Sequence, residues 1–175
     1  MKKKVQKSAT QSQEVSEQSL LLQIQSSLEE MGITASRISE IGVDKSKKAI
    51  RFGAREQGVV MDFTCYVIND DWLQLHCVVG FNARGKKSAS LELINLINPS
   101  LIVGTFTIDK DDDLVFHATT HFDSQTIERL PTVLVGMAGS SIAAWYPAFV
   151  MLQYGDASVI DAFTRAREAI SKREG

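Results

Sequence analysis

The chain's three histidines are the side chains best suited to acid–base or metal chemistry, and two of them lie four residues apart. His117 and His121 have the spacing of a zinc-binding pair on a helix, but Ala118 occupies the position of that motif's glutamate. The surrounding residues alternate between apolar and polar types, which is typical of a strand. Four strand residues span about 13 Å at roughly 3.3 Å each, so these two rings could not share one ion.

A serine nucleophile is the second candidate. Gly139, Ser140 and Ser141 follow an apolar stretch, an order similar to the strand-to-helix elbow of acyl hydrolases. In that arrangement the base histidine comes after the nucleophile, whereas all three histidines precede Ser141. Small polar residues on a packed helix are the simpler interpretation. A small hydrolase or metal-dependent enzyme, with a site assembled only in three dimensions, stays open as an alternative.

The acidic run and the two cysteines complete the chemical inventory. Asp109, Asp111 and Asp113 match the first acids of a calcium loop, but Leu114 occupies its glycine position and Thr120 its glutamate position. Turn-forming aspartates in a hairpin explain the run better. Both cysteines fall in apolar strand-like segments, where free buried thiols are common. We therefore expect no catalytic residue, no metal site and no cofactor.

The composition fits one soluble globular domain with a basic leader. The chain has 175 residues, is 44 % hydrophobic and carries a net charge of -2. The lysines among residues 1–7 precede a polar stretch and not the apolar segment of a secretory signal, so we expect a cytoplasmic protein. Positive charge concentrated in a leader does not predict a nucleic-acid-binding surface on the folded domain. A regulator that acts on nucleic acid through this lysine-rich tail stays open as a further alternative.

Apolar spacing in the first half of the chain predicts a helix followed by strands. Residues 1–17 contain few apolar side chains and are predicted as a flexible tail. Ser19–Met31 has the helical spacing of an amphipathic helix. A short strand is expected at Ala49–Phe52, and the period-two runs Val59–Ile68 and Trp72–Val79 predict a hairpin.

The same pattern repeats further along the chain. Helical spacing predicts a helix at Ser88–Ile97, which ends at Asn98 because the residue before a proline is disfavoured in helical conformation. Leu101–Asp109 and Leu114–Phe122 predict a second hairpin. Its expected inward side chains are Ile102, Phe106, Ile108, Leu114, Phe116, Ala118 and Phe122.

Leu130–Gly155 is a run of residues without a single charge. It is long enough to cross a hydrocarbon core about 30 Å thick. However, Pro131 and Pro147 interrupt it, and Trp145 and Tyr146 lie in its middle and not at the interfacial positions where such residues collect in membrane spans. We therefore predict a helix that covers the sheet of a soluble protein, without membrane contact.

This helix carries more apolar surface than one sheet can cover. It is expected to begin near Ser124, with Asp123 as its N-cap, although Pro131 could split this segment into a short turn and a fresh helix. A helix that is apolar on most sides is buried on most sides, and an identical subunit across a two-fold axis is the simplest second partner. We therefore predict a homodimer. The predicted interface residues are Val135, Gly139, Ile142, Ala143, Trp145 and Phe149.

The segment Ser90–Asn98, SLELINLIN before a proline, opens a longer pattern. It is followed by LIVGTFTID, the acidic turn KDDD, LVFHATTHF and an aspartate-capped apolar helix. Over about residues 18–152 this order resembles the YbjN-like family of bacterial proteins, in which a leucine-rich helix ends in asparagine. Asn95 and Asn98 fit that place. The family in turn is similar in fold to the class I type III secretion chaperones.

The resemblance implies a small cytoplasmic α+β protein, commonly dimeric, that binds other proteins or acts in regulation without catalysis. We expect residues 18–155 to form one domain, a twisted antiparallel sheet of two hairpins with helices on one face, and residues 156–175 to form a helix or arm. A client segment could add a strand to such a sheet or place apolar anchors on it. The alternative is a partly polar sheet surface with scattered aromatic side chains. The predicted binding face consists of Tyr66, Trp72, His76, Val78, Val115 and His117.

Overall fold

Alternating apolar residues build a six-stranded antiparallel sheet with the spatial order β1-β2-β3-β4-β6-β5. The computed structural model describes residues 18–33, 37–41, 47–69, 71–123 and 125–174, so the predicted tail at residues 1–17 lies outside it. The α+β class and both predicted hairpins are confirmed, and β1 and β2 widen the sheet beyond them. The strands are β1 (Arg37–Ile41), β2 (Lys47–Glu56), β3 (Val59–Ile68), β4 (Trp72–Asn82), β5 (Thr105–Ile108) and β6 (Asp113–His121).

Helices flank the strands in the chain. They are α1 (18–30), α2 (Lys87–Ile97), α3 (Leu130–Tyr154) and α4 (Val159–Glu174). The bounds of α1 and α2 agree closely with those that the sequence pattern predicts. α4 is one of the two forms, helix or arm, expected for residues 156–175.

The start of α3 follows the second of the two predicted arrangements, a short turn and then a fresh helix at Pro131, while Ser124 lies outside the described ranges. Asp123 caps a separate turn, because its Oδ1 accepts hydrogen bonds from the backbone N–H groups of Gln125 and Thr126, each at 2.9 Å. The long helix begins only at Leu130, and Pro131 occupies its first turn, where a missing N–H costs nothing.

Helices and sheet share one hydrophobic core on a single side of the sheet, which we call the inner face. Every second residue of β3 is buried, and the neighbouring strands align their own buried positions with it. Phe106 contacts Phe116 and Phe149 with ring centroids 5.0 and 5.5 Å apart, which joins the edge hairpin to α3. All four helices contribute side chains to this core.

Most of the predicted inward set of the second hairpin is confirmed, but Ile102 is not part of it. Its side chain is 92 % exposed, since residues 101–104 are irregular and the strand begins only at Thr105. Gly104 lies at this entry with φ of +72°. A Cβ atom there would overlap the Phe116 ring and the His117 carbonyl oxygen, so the chain can approach β6 only through a glycine.

The free edge of β5 is closed by a side chain. Asn98 donates from Nδ2 to the Phe106 carbonyl oxygen at 3.1 Å, and its Oδ1 accepts from the Phe106 N–H at 2.8 Å. Because β5 pairs with β6 on its other side, the Asn98 amide takes the place of a further strand at this point. The asparagine that ends the leucine-rich helix therefore has a definite structural role.

Candidate binding face of the sheet

The side of the sheet that points away from the helices, here called the outer face, brings polar and aromatic side chains together. The register places Thr64 of β3 opposite His76 of β4, and His76 opposite His117 of β6. Tyr66 lies opposite Gln74 in the same layer. None of these side chains belongs to the core cluster, and the described helices pack on the other side. The sheet thus offers one face to its own helices and leaves the other for solvent or a partner.

The six residues predicted for the binding face do lie on this side of the sheet. Tyr66, His76, Val78 and His117 are half-buried, and Trp72 is 42 % exposed. Val115 differs, because its side chain is fully buried. The residue therefore presents no surface of its own to a partner.

Two accessible members of the face were absent from the prediction. Val60 is 46 % exposed, and the alternation of β3 places it on the same side as Asp62. His121 contacts Trp72 edge-to-face, with ring centroids 5.5 Å apart, and its Nε2 lies 3.4 Å from Oδ2 of Asp71. The period-two pattern alone could have identified both, since each is an even number of residues from a predicted member of its strand.

His76 and His117 form the most closely coupled pair on the outer face. Their ring centroids are 4.8 Å apart and the ring planes are tilted by 50°. Partial burial lowers the pKa of both rings, repulsion from His76 lowers that of His117 further, and the Asp109 carboxylate acts on the pKa of His76 in the opposite direction. Both imidazoles are therefore neutral at neutral pH.

Arginines occupy the β1–β2 end of the outer face. Arg37 and Arg51 lie directly opposite one another, and Arg55 follows on the same side of β2. Like charges in opposing positions repel. All three side chains are exposed, and none has an ion pair with a described residue. Asp62, opposite Gly53, provides only partial compensation, so this end of the face favours negatively charged groups.

The thiols on the other side of the sheet are poor nucleophiles. Burial raises the pKa of Cys65 to about 12, and burial also raises the pKa of Cys77 far above its usual value. Ser141 is half-buried in α3, and within the described ranges no histidine forms a hydrogen bond with a serine or cysteine. Nor do three or more His, Cys, Asp or Glu side chains come together there with the spacing of metal ligands.

A cavity of about 430 Å³ lies where the ends of α2, α3 and α4 meet. Lys86 at its wall donates from Nζ to the carbonyl oxygen of Leu152 at 2.6 Å and thereby caps α3. Lys87 pairs with Asp112 at 2.6 Å. Both lysines therefore have partners within the chain, and the junction is explained as a structural contact between helix ends.

The residues predicted for a dimer interface on α3 lie inside the chain. All six are buried, and the five apart from Gly139 are at most 6 % exposed. The apolar surface that suggested a second subunit is largely covered by α4, and the Trp145 indole stacks on Phe163 at 5.4 Å between centroids. α4 covers more of α3 than the many charges of α4 indicate. A second subunit would have to use other residues of α3.

The length and composition of α3 also match those of a membrane-spanning helix. Half of its most apolar 18-residue window is buried inside the chain, against the sheet and α4. Core helices of soluble proteins meet the same criteria of length and composition.

Fold and site together define an α+β protein with an open antiparallel sheet, one face of which carries helices while the other presents aromatic, imidazole and arginine side chains. A family model described as "putative bacterial sensory transduction regulator", the YbjN family, matches residues 23–151. The match covers well over half of the chain, so the protein belongs to the YbjN family, as the sequence resemblance indicated. No curated protein matches the chain. The family is described by regulation and not by a reaction, which is consistent with a non-catalytic role.

Proposed function

We propose that this protein is a cytoplasmic regulatory adaptor that binds a segment of another protein across the outer face of its sheet. The observation that carries the proposal is the unequal use of the two faces: the helices cover one, while the other keeps half-exposed Tyr66, Trp72 and two histidines in its middle strands. Aromatic side chains that combine apolar area with a polar end are typical anchors of protein interfaces.

The charges of the face indicate the chemistry of the partner segment. Arg37, Arg51 and Arg55 occupy one end of the surface without an ion pair to a described residue, and the aromatic side chains occupy the other. A segment with acidic side chains and at least one large apolar anchor complements both ends. Strand addition at β5 is disfavoured because Asn98 occupies its edge, and a strand added beside β1 would lie away from the aromatic side chains of β3 and β4. We therefore place the partner across the face.

Selection of peptides from a displayed random library against the full chain tests the proposal, and it does not require the partner to be identified first. Acidic peptides with aromatic or aliphatic anchors are expected. Trp72→Ala and Arg51→Glu should each weaken their binding roughly tenfold or more, as expected for truncation of an interface anchor. Binding peptides without this composition, or none, would contradict the proposal.

The chain offers matched controls for both substitutions. Leu91 on α2 is as exposed as Trp72, and Arg84 is an exposed arginine away from the outer face. Leu91→Ala and Arg84→Glu should leave peptide binding unchanged. Equal losses in the control variants would show that the peptides bind elsewhere.

The proposal includes a homodimer, formed through the N-terminal half of α3 and not through the residues predicted from sequence. Val133 is 52 % exposed, Met137 is also exposed, and the space beside Gly136 is open. A small residue between apolar ones permits close approach of a second helix. A chaperone-like role, in which the dimer holds an unfolded client, is a more specific form of the same proposal.

Sedimentation velocity at increasing protein concentration tests the dimer. The native chain should show a reversible monomer–dimer equilibrium that Met137→Glu shifts to monomer, because the new charge would be desolvated in the interface. Ile102→Glu changes a more exposed apolar residue at a distant loop and should leave the equilibrium unchanged. A native chain that remains monomeric at high micromolar concentration would refute the dimer but not the binding face.

A further inference from the structure

The sheet fixes the positions of His76 and His117 relative to one another. They lie directly opposite one another in the middle of the sheet, with β3 beyond one and β5 beyond the other. Their separation of 4.8 Å between ring centroids is therefore set by strand register and not by a loop.

The rings of this pair contact one another but form no hydrogen bond with a described residue, although both are half-buried. Neutral imidazole is the form of a histidine side chain that binds metal ions. The Asp109 carboxylate, whose charge reaches His76, adds a negative potential that favours a cation.

We propose that His76 and His117 together bind one late first-row divalent cation such as Zn²⁺. With metal–nitrogen distances of about 2.1 Å, two imidazoles on one tetrahedral ion hold their ring centroids roughly 5 Å apart. The observed separation is 4.8 Å. Imidazole ligands suit zinc, nickel and copper ions better than magnesium or calcium, which prefer oxygen.

The chain contributes two ligands, since no group of three suitable side chains occurs in the described part of the structure. Water molecules complete the coordination of the ion. The ion is therefore bound more weakly, and exchanges more readily, than a structural zinc with four protein ligands. An acidic side chain of a bound partner could replace one of these waters. The replacement of a water by a partner's side chain rests on the proposed function, whereas the metal site does not.

Isothermal titration of the full, untagged chain with ZnCl₂ and with NiCl₂ at pH 7.5 tests the site. One ion per chain with micromolar affinity is expected. His76→Gln and His117→Gln should each weaken binding by about tenfold or more, at least the loss seen when a supporting residue of a metal site is removed. The third histidine is the matched control, and His121→Gln should bind as the native chain does.

The result is decided by the pattern across these variants. Absence of binding, equal binding by all variants, or loss in His121→Gln would each overturn the proposal. Should a glutamine variant fail to fold, the native chain provides a second measurement. Substoichiometric Cu²⁺ should broaden the imidazole NMR signals of His76 and His117 before that of His121, and the reverse order would contradict the site. Failure of peptide selection has no bearing on either result.

Discussion

The two faces of the same strands follow different rules, and neighbouring residues of β6 show the contrast. Phe116 points to the inner face, where it is fully buried and contacts the Phe106 ring. His117 points to the outer face, where it is half-buried and contacts the ring of His76, which has comparable exposure. The inner residue is explained by packing. The outer one contributes little to packing, which is why the outer face is the better candidate for function.

The largest expected effect comes from truncating the inner face. Phe116→Ala should lower the free energy of unfolding by about 3–5 kcal/mol, because it removes buried apolar area and leaves a cavity. His117→Ala, one residue away, should cost less than about 1 kcal/mol, as expected for a partly exposed side chain without a hydrogen bond. Urea denaturation of the two variants makes the comparison. Similar losses would mean that the outer face is also a structural core.

Gly104, just before β5, allows the edge hairpin to pack closely against the Phe116 ring. Gly104→Ala should cost on the order of 3 kcal/mol, since its methyl group would overlap the Phe116 ring in a left-handed backbone conformation. Gly85 also has a positive φ, but nothing lies near its Cβ position. Gly85→Ala should therefore cost only about 1 kcal/mol. Thermal unfolding of both variants separates overlap from backbone strain, and equal losses would rule out the overlap.

The closed edge of β5 predicts a smaller effect. Asn98→Ala removes both hydrogen bonds to the Phe106 backbone and should cost about 1–3 kcal/mol. It should also speed hydrogen exchange at the Phe106 amide. Asn95, exposed in the last turn of α2, is the matched control, and Asn95→Ala should change neither quantity appreciably. An unchanged exchange rate in Asn98→Ala would show that the edge is protected by something else.

The smallest effect is a pH dependence that originates on the outer face. The pKa values of His76 and His117 are lowered on folding, so the unfolded chain binds protons first as the pH falls. Their contribution to stability should be complete above the unfolded pKa near 6.5 and should decline below it, levelling off once the folded rings are protonated. His117→Gln should flatten this part of a stability-against-pH curve. A steeper curve in that variant would contradict the sign of the shift.

Period-two and helical spacing were sufficient to predict most of the fold. The hairpins, α2 and the burial of Phe106, Phe116 and Ala118 are explained by local pattern alone. β1 was missed because its five residues depend on pairing with β2, and Ile102 was misplaced because a left-handed glycine ends the irregular segment after it. These features depend on tertiary contacts that no local pattern contains.

The candidate site was predictable in part. Alternation placed Tyr66, Trp72 and His76 on one side of the sheet, as the structure does. The cross-strand pairing of His76 with His117 depends on the register between strands distant in sequence. The cover that α4 provides for α3 was underestimated, because the charges of α4 suggested an exposed helix while Ala162 and Ala166 are buried in the core.

Site-specific photocrosslinking in the native bacterial cell tests the outer face most directly. A benzophenone amino acid at Thr64 would lie between Arg51 and His76 in the register, whereas one at Glu92 on α2 would lie on the exposed helical side. The account predicts a discrete adduct with another protein from position 64, mapped to an acidic segment with an apolar anchor and lost in Trp72→Ala, and no such adduct from position 92. Adducts from position 92 alone, or adducts from position 64 that survive Trp72→Ala, would contradict it.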